Sequence, residues 1–452
     1  MPETASTSSA TAREDPLTRI TVSGFKSIGD EQTIEIAPLT VLAGANSAGK
    51  SSFLQPLLLM KQTLESTFDP GPLLLHGPNA RFTQVDQLFS KRLGGSPRVQ
   101  FAVSFARGND TRSVTYGRDD GALEIRGDVV KTNSATYALG PELSKTAKKN
   151  LEDRFLEFLG GNDDKDLGPL WTPRATTRRN RCFMEAEMHI SLGENGDERF
   201  EHTLAGPPLG FDWPGMLQNL IHVPGLRGNP EREYPRTAVS TRFPGAFDDY
   251  VASIIYDWSE RHDIRLRELG EDLQTLGLTW KVTADQLDDV RLALRVGRTL
   301  QSGRGGAQDL VSLADVGFGV SQVLPVLVAL RAAKKGQHVL LEQPELHLHP
   351  RAQYALGSIL MEAASRGVLV IIETHSSLLL RSIQTEIART DIDPRKVSMN
   401  WFERDTDSGF ARVSTADVGH DGSVGEWPVD FDDVAAAADW QYLEAASEGE
   451  SG

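Results

Sequence analysis

The stretch Gly44-Ala-Asn-Ser-Ala-Gly-Lys-Ser-Ser52, GANSAGKSS, decides the reading of this chain. It follows the apolar run Leu39-Thr-Val-Leu and opens into SFLQPLLLMKQTLES, residues 52–66, which is apolar at helical spacing. Strand, glycine loop and helix are therefore predicted in that order, the setting in which G-x-x-x-x-G-K-[ST] marks a phosphate-binding loop. Gly44, Gly49, Lys50 and Ser51 fill every fixed position. Glycines let the backbone curl until successive N–H groups point at phosphate oxygens, and the helix start adds its positive dipole end. A lysine at position 50 reaches the outer phosphates and a serine at 51 offers an oxygen to Mg²⁺.

Such a loop needs an acid at the tip of a neighbouring strand. Val339-Leu-Leu-Glu-Gln-Pro-Glu-Leu-His-Leu-His-Pro350 supplies one: an apolar strand tipped by Glu342, followed by Gln343 and, past Pro344, Glu345. Upstream lies Asp315-Val-Gly-Phe-Gly-Val-Ser-Gln322, at the start of a helical run. Downstream, VLVIIETHSS places Glu373-Thr-His-Ser376 at the end of a second apolar strand. Two continuous apolar runs flanked by helical segments predict a parallel sheet buried on both faces.

With these motifs in this order, the chain resembles the ABC-type ATPase heads of the OLD/RecF/SMC branch. The likeness is nearest to stand-alone bacterial proteins carrying ELHLHP and ETHS, several of which, such as the Septu-like ATPases, serve anti-phage defence. It covers residues of about 17–90 and 305–400, with VPGLRGNPEREYP the most familial part between them. The fold implied is α/β, an ABC-type P-loop head with a mixed or parallel core sheet flanked by helices, plus an inserted α+β region.

The resemblance implies that ATP is cradled by Gly44, Asn46, Ala48, Gly49, Lys50, Ser51 and Ser52. Gly319, Ser321 and Gln322 would be the signature loop, facing ATP held by a second subunit in a homodimer of heads or a higher oligomer. Glu342 would organise Mg²⁺ together with Ser51, His375 would touch the γ-phosphate, and Leu346–Pro350 would line the dimer seam. Gln84 and Gln87 both qualify for the Q-loop. Most such heads place a glutamate after the metal acid to polarise the attacking water, and here that residue is Gln343. Three readings stay open: Gln343 orients water and turnover is slow, Glu345 takes the role, or ATP is held as a switch with little hydrolysis. His347 and His349 with Glu345 have a spacing compatible with a metal, against the seam role the resemblance implies.

The divisions expected are a tail at 1–16, a first head segment at 17–95, an insert at 96–300, a second head segment at 301–400, and a hairpin with an acidic tail at 401–452. PRATTRRNR reads as a solvated loop or as a contact for nucleic acid through Arg174, Arg178, Arg179 and Arg181. A RecF-like DNA-binding ATPase would need these to form one patch with Lys145–Lys149. A nucleotide-binding scaffold without turnover is the other alternative. Asp405 and Asp407 in ERDTDSG read as a turn rather than as nuclease acids. Too little chain follows Ser376 for an appended Toprim nuclease, so a nuclease is expected as a separate effector.

Bulk composition agrees with this class. The chain has 452 residues, 39% hydrophobic and 24% charged, enough for more than one core. A formal charge of −16 argues against a chain that coats nucleic acid. The one cysteine, Cys182, excludes an internal disulfide and suits a reducing cytoplasm, and reads as a buried small residue. No apolar run approaches the ~18 residues of a membrane span, and the N-terminus lacks the apolar core of a signal peptide.

Overall fold

A computed structural model describes residues 17–159, 171–192, 200–298, 309–390, 392–425 and 440–441. In chain order the strands are β1 (Arg19–Ser23), β2 (Gln32–Glu35), β3 (Leu39–Gly44), β4 (Gln100–Arg107), β5 (Asp110–Asp119), β6 (Ala122–Lys131), β7 (Thr136–Leu139), β8 (Trp171–Asn180), β9 (Phe183–Leu192), β10 (Phe200–Ala205), β11 (Ile221–Val223), β12 (Tyr234–Pro235), β13 (Val282–Gln286), β14 (Arg291–Gly297), β15 (Leu310–Ser312), β16 (His338–Glu342), β17 (Leu369–Glu373), β18 (Val397–Arg404) and β19 (Ala411–Thr415). The helices are α1 (Lys50–Glu65), α2 (Lys145–Phe158), α3 (Trp213–Gln218), α4 (Val251–Glu260), α5 (Ile264–Thr275), α6 (Phe318–Ala332), α7 (Pro350–Ser365) and α8 (Ser377–Arg389).

The central sheet runs β11-β16-β17-β3-β18-β19. Its pairings are parallel except for the terminal hairpin β18–β19. β3, β16 and β17 are continuous apolar runs because both sheet faces are covered. Leu39, Val41, Val339, Leu341, Val370 and Ile372 face a core shared with α4 to α8. Leu42, Leu340 and Ile371 face a second core built from α1 and an antiparallel sheet. That sheet has the order β2-β1-β4-β5-β6-β7. This is the α/β architecture of an ABC-type P-loop head, with strand-rich additions.

Register fixes the geometry of the site. Glu342 pairs with Glu373, and Glu373 with Leu42, so the ends of β16, β17 and β3 lie side by side. Ligands of open parallel sheets sit at this carboxyl edge.

Three segments differ from the sequence reading. The Pro-, Gly- and Arg-rich stretch from Ile221 reads in sequence as a structured loop, but it begins with the edge strand β11, parallel to β16. PRATTRRN, residues 173–180, lies in strand β8 and pairs along its length with β9, with Arg181 in the turn that follows, so it is not a loop. The C-terminal hairpin forms, and β18 also joins the central sheet beside β3, since Met399 and Trp401 supply apolar area to the main core. The stretch near 431–446 reads in sequence as a short acidic helix and falls almost wholly outside the described residues. No described helix is long and apolar enough to cross a membrane.

Candidate active site

The phosphate loop is built as its sequence requires. Gly44 has φ +141°, and a Cβ there would come within 2.2 Å of the Phe402 carbonyl oxygen. Gly49 has φ +114°, and its Cβ would stand 2.7 Å from Ala411 Cβ and 2.8 Å from Ser27 Oγ. Only glycine fits either position. The Lys50 ammonium donates to the carbonyls of Gly44 and Ala45, each at 2.9 Å, and lies 3.5 Å from His375 Nδ1. Burial pulls Lys50 down to about 8, with Glu373 and Glu345 pulling the other way.

A cavity of about 760 Å³ opens over this loop. Asn46, Ser47, Gly49, Lys50, Ser51 and Ser52 form its floor, and Gln343, Glu373 and His375 close one side. Lys26, Gln55, Phe89, Lys91 and Arg404 form the far wall. Of the two Q-loop candidates, Gln87 lines the cavity and Gln84 does not.

The carboxylates divide in an unexpected way. Ser51 Oγ donates 2.8 Å to Glu373 Oε1, while Glu373 Oε2 is buried and lacks a partner. Glu342, assigned to the metal from sequence, points elsewhere: its oxygens meet His222 Nε2 at 3.2 Å and the Gly225 N–H at 3.1 Å. Burial pushes Glu373 up to about 6, which the Ser51 hydrogen bond opposes and the nearby Glu342 charge reinforces. Burial also lifts Glu342, but the bonds from His222 and Gly225 and the Arg227 charge outweigh it and hold the group below its usual range. A strand-tip carboxylate beside the loop serine, with one buried oxygen left over, fits a divalent cation that takes few protein ligands and keeps phosphate and water for the rest. Ser51 and Glu373 are the residues that fit Mg²⁺.

Glu345 is also buried, away from the cavity wall. Its Oε1 accepts from Thr374 Oγ1 at 2.7 Å and from the His375 N–H at 3.0 Å. It therefore holds the His375 main chain. Burial and the Lys50 charge lower the His375 pKa. Gln343 has φ +44°, a left-handed conformation that costs a residue other than glycine about 1–3 kcal/mol unless neighbours impose it. Its N–H donates 2.7 Å to the Glu373 carbonyl and its own carbonyl accepts 2.8 Å from Arg227.

Gly319, Ser321 and Gln322 do not line the cavity. Ser321 Oγ donates to the Phe318 carbonyl at 3.0 Å and Gln322 Nε2 to Gly228 at 3.1 Å, so both side chains are engaged inside the head. What α6 presents outward is its first turn, with Phe318 55% exposed and 6.2 Å, ring to ring, from His347. His349 caps α7, its Nδ1 accepting from the Arg351 N–H at 3.3 Å.

The arginine cluster is largely engaged within the fold. Arg178 pairs with Glu187 at 3.1 Å, Arg179 with Asp69 at 2.6 Å, and Arg181 donates to the Thr63 carbonyl at 2.8 Å; Arg174 is exposed. Asp405 accepts from Ser408 and pairs with Arg412, as a turn acid does. Cys182 is buried, and burial drives its thiol pKa far upward.

Glu373 stands in the ETHS motif without a role read from sequence, and His222 and Arg227 are not singled out there. A signal for Glu373 existed: HVLLE and LVIIE are the same word, an apolar strand tipped by glutamate. His222 and Arg227 sit in a Pro- and Gly-rich stretch with no periodicity to weigh.

Comparison with known proteins gives a partial family match. Residues 174–381, just under half the chain, match the family described as AAA domain, putative AbiEii toxin, Type IV TA system. The chain is similar to the SmcHead bound to the C-winged helix domain of ScpA, at 11% identity over 88% of this chain and 97% of that one, TM-score 0.44. It is similar to the SMC head domain from Thermotoga maritima, at 10% identity over 89% and 100%, TM-score 0.40. A third is the Smc head domain with an extended coiled coil bound to the C-terminal domain of ScpA derived from Pyrococcus furiosus, at 11% over 88% and 96%, TM-score 0.43. No curated protein matches the chain. The sheet order and the phosphate loop describe an α/β P-loop head, and part of the chain matches an AAA-domain family.

Proposed function

We propose that the chain binds Mg-ATP in the cavity over Gly44–Ser52, hydrolyses it slowly, and uses it to close two heads into a dimer. The observation that carries this is the convergence of Lys50, Ser51, Glu373, Gln343 and His375 on one cavity. Lys50 exchanges its two loop carbonyls for phosphate oxygens. Ser51 and Glu373 would hold Mg²⁺, which when bound would offset the negative charge of the ATP phosphates. Gln343 orients the attacking water through its amide. Lacking a carboxylate, it accepts no proton, so catalysis rests on position and electrostatics and turnover is slow. His375, set by Glu345, faces the γ-phosphate.

Dimerisation is supported by two exposed apolar side chains: Phe318 on the first turn of α6, beside His347, and Leu226 at 89% exposure between two residues bonded to the Glu342–Gln343 turn. ATP held between heads would favour the dimer by mass action, and hydrolysis would release it. The closed dimer acts as a switch on a separate effector, for which we assign a nuclease in bacterial anti-phage defence. The ELHLHP and ETHS motifs support that role, as does the toxin–antitoxin description of the matching family.

The test is sedimentation of the full chain with Mg-ATP and with Mg-ADP, beside a Lys50→Ala control. A dimer formed only by the wild type with ATP is expected. A mass indifferent to nucleotide contradicts the switch.

A further inference from the structure

Arg227 is buried, 9% exposed, in the loop after β11, and outside the nucleotide cavity. Its guanidinium donates to four main-chain carbonyls: Pro224 at 3.0 Å, Glu342 at 3.2 Å, Gln343 at 2.8 Å, and Gln322. Among the described residues, no carboxylate is hydrogen-bonded to it. The acceptors come from three segments: its own loop, the turn after β16, and the second turn of α6. A rigid fork of five donors suits this task, and a lysine ammonium does not reproduce it.

Two of these contacts bear on turnover. Gln343 is held left-handed from both sides, its N–H on the Glu373 carbonyl and its carbonyl on Arg227. Gln322 belongs to the helix whose first residue, Phe318, is exposed. The same guanidinium thus ties α6 to the residue that lines the cavity.

We infer that Arg227 is a positioning residue that couples the seating of α6 to the placement of Gln343, so that a docked second head sets the water-orienting amide of the first. The inference rests on the ATPase reading above. When α6 settles against a partner, the Gln322 carbonyl moves with it. Arg227 follows and carries the Gln343 carbonyl, rotating the amide toward the γ-phosphate. Without the fork, Gln343 relaxes out of its left-handed conformation and the cavity keeps its phosphate contacts but loses the amide.

The experiment is a double-mutant cycle on the full chain with Arg227→Lys and Gln343→Gly, reading kcat and, separately, the Kd of a fluorescent ATP analogue. Arg227→Gln, which keeps a planar amide donor, is run in parallel in case the lysine variant does not fold. Expected is a kcat loss on the order of tenfold to a hundredfold for either Arg227 variant, with nucleotide Kd unchanged within about twofold. In the Gln343→Gly background, the Arg227 change should cost nothing further, because the side-chain amide that Arg227 positions is gone although the carbonyl it binds remains. Losses that multiply, or a Kd that weakens in step with kcat, overturn the coupling and leave the ATPase reading standing. A wild-type chain without turnover overturns both.

Discussion

Ser51 Oγ donates a 2.8 Å hydrogen bond to Oε1 of Glu373, not to Glu342, although Glu342 tips the neighbouring strand in register. The sheet order explains it. β17 lies between β16 and β3, so Glu373 is the carboxylate adjacent to the phosphate loop. Glu342 faces β11 on its other side, where His222 and the Gly225 N–H receive it. Glu373→Gln should therefore remove Mg²⁺-dependent turnover, by on the order of a hundredfold or more, since a carboxylate at the metal is lost. Glu342→Gln should leave the Mg²⁺ requirement intact. Titration of turnover against Mg²⁺ in both variants checks this, and the opposite ranking contradicts it.

Glu373 also carries a pH signature. Its carboxyl, pushed up to about 6 by burial against an ordinary 4.5, is a folded-state pKa above the unfolded one. The folded chain then holds more protons than the unfolded chain between those values, so ligand-free stability falls as pH rises from 4.5 through 6. Above that window the buried charge costs on the order of 1–2 kcal/mol. Glu373→Gln should raise the Tm of the ligand-free protein at pH 8 while leaving it nearly unchanged at pH 4.5. Thermal melts at the two pH values measure the difference, and equal shifts at both would count against it.

Gln343 and Glu345 make opposite predictions. Gln343 lines the cavity; Glu345 is buried on Thr374 and the His375 N–H. Glu345→Gln keeps an acceptor oxygen for both donors and should retain most turnover, whereas Glu345→Ala frees the His375 main chain and should lose it. Gln343→Ala should lower kcat with little change in KM. A tenfold or greater loss in Glu345→Gln, with Gln343→Ala active, would return the water to Glu345.

The antiparallel region depends on a buried ion pair. Arg112 meets Asp128 at 2.6 and 2.9 Å, Asp128 is wholly buried, and the pair also binds the Met184 carbonyl and N–H. Arg112→Ala strands that carboxylate and should destabilise the fold by about 3–5 kcal/mol. Urea unfolding of the variant reads it, and a loss below about 1 kcal/mol would show the pair to be dispensable.

The parts legible in the sequence were those whose local chemistry is self-contained. GANSAGKSS carries its own glycines, strand and helix, and the runs ending at Glu342 and Glu373 declare a sheet buried on both faces. What was not legible depended on neighbours. Ile221–Val223 is three residues with a histidine at its centre, and it is a strand because β16 offers an open parallel edge. PRATTRRN has one fully buried side chain, Ala175, and is held extended by β9 and by acceptors on other elements. Glu342 and Glu373 look alike in sequence. Only the order of their strands tells which one meets Ser51.

The most direct measurement is steady-state Mg-ATP hydrolysis by the purified full chain, with Lys50→Ala as the blank. The account predicts slow turnover in the wild type, on the order of one per second or less, that disappears in Lys50→Ala, since the phosphates lose their buried cation. Hydrolysis equal in the two proteins, or none in either, would contradict it.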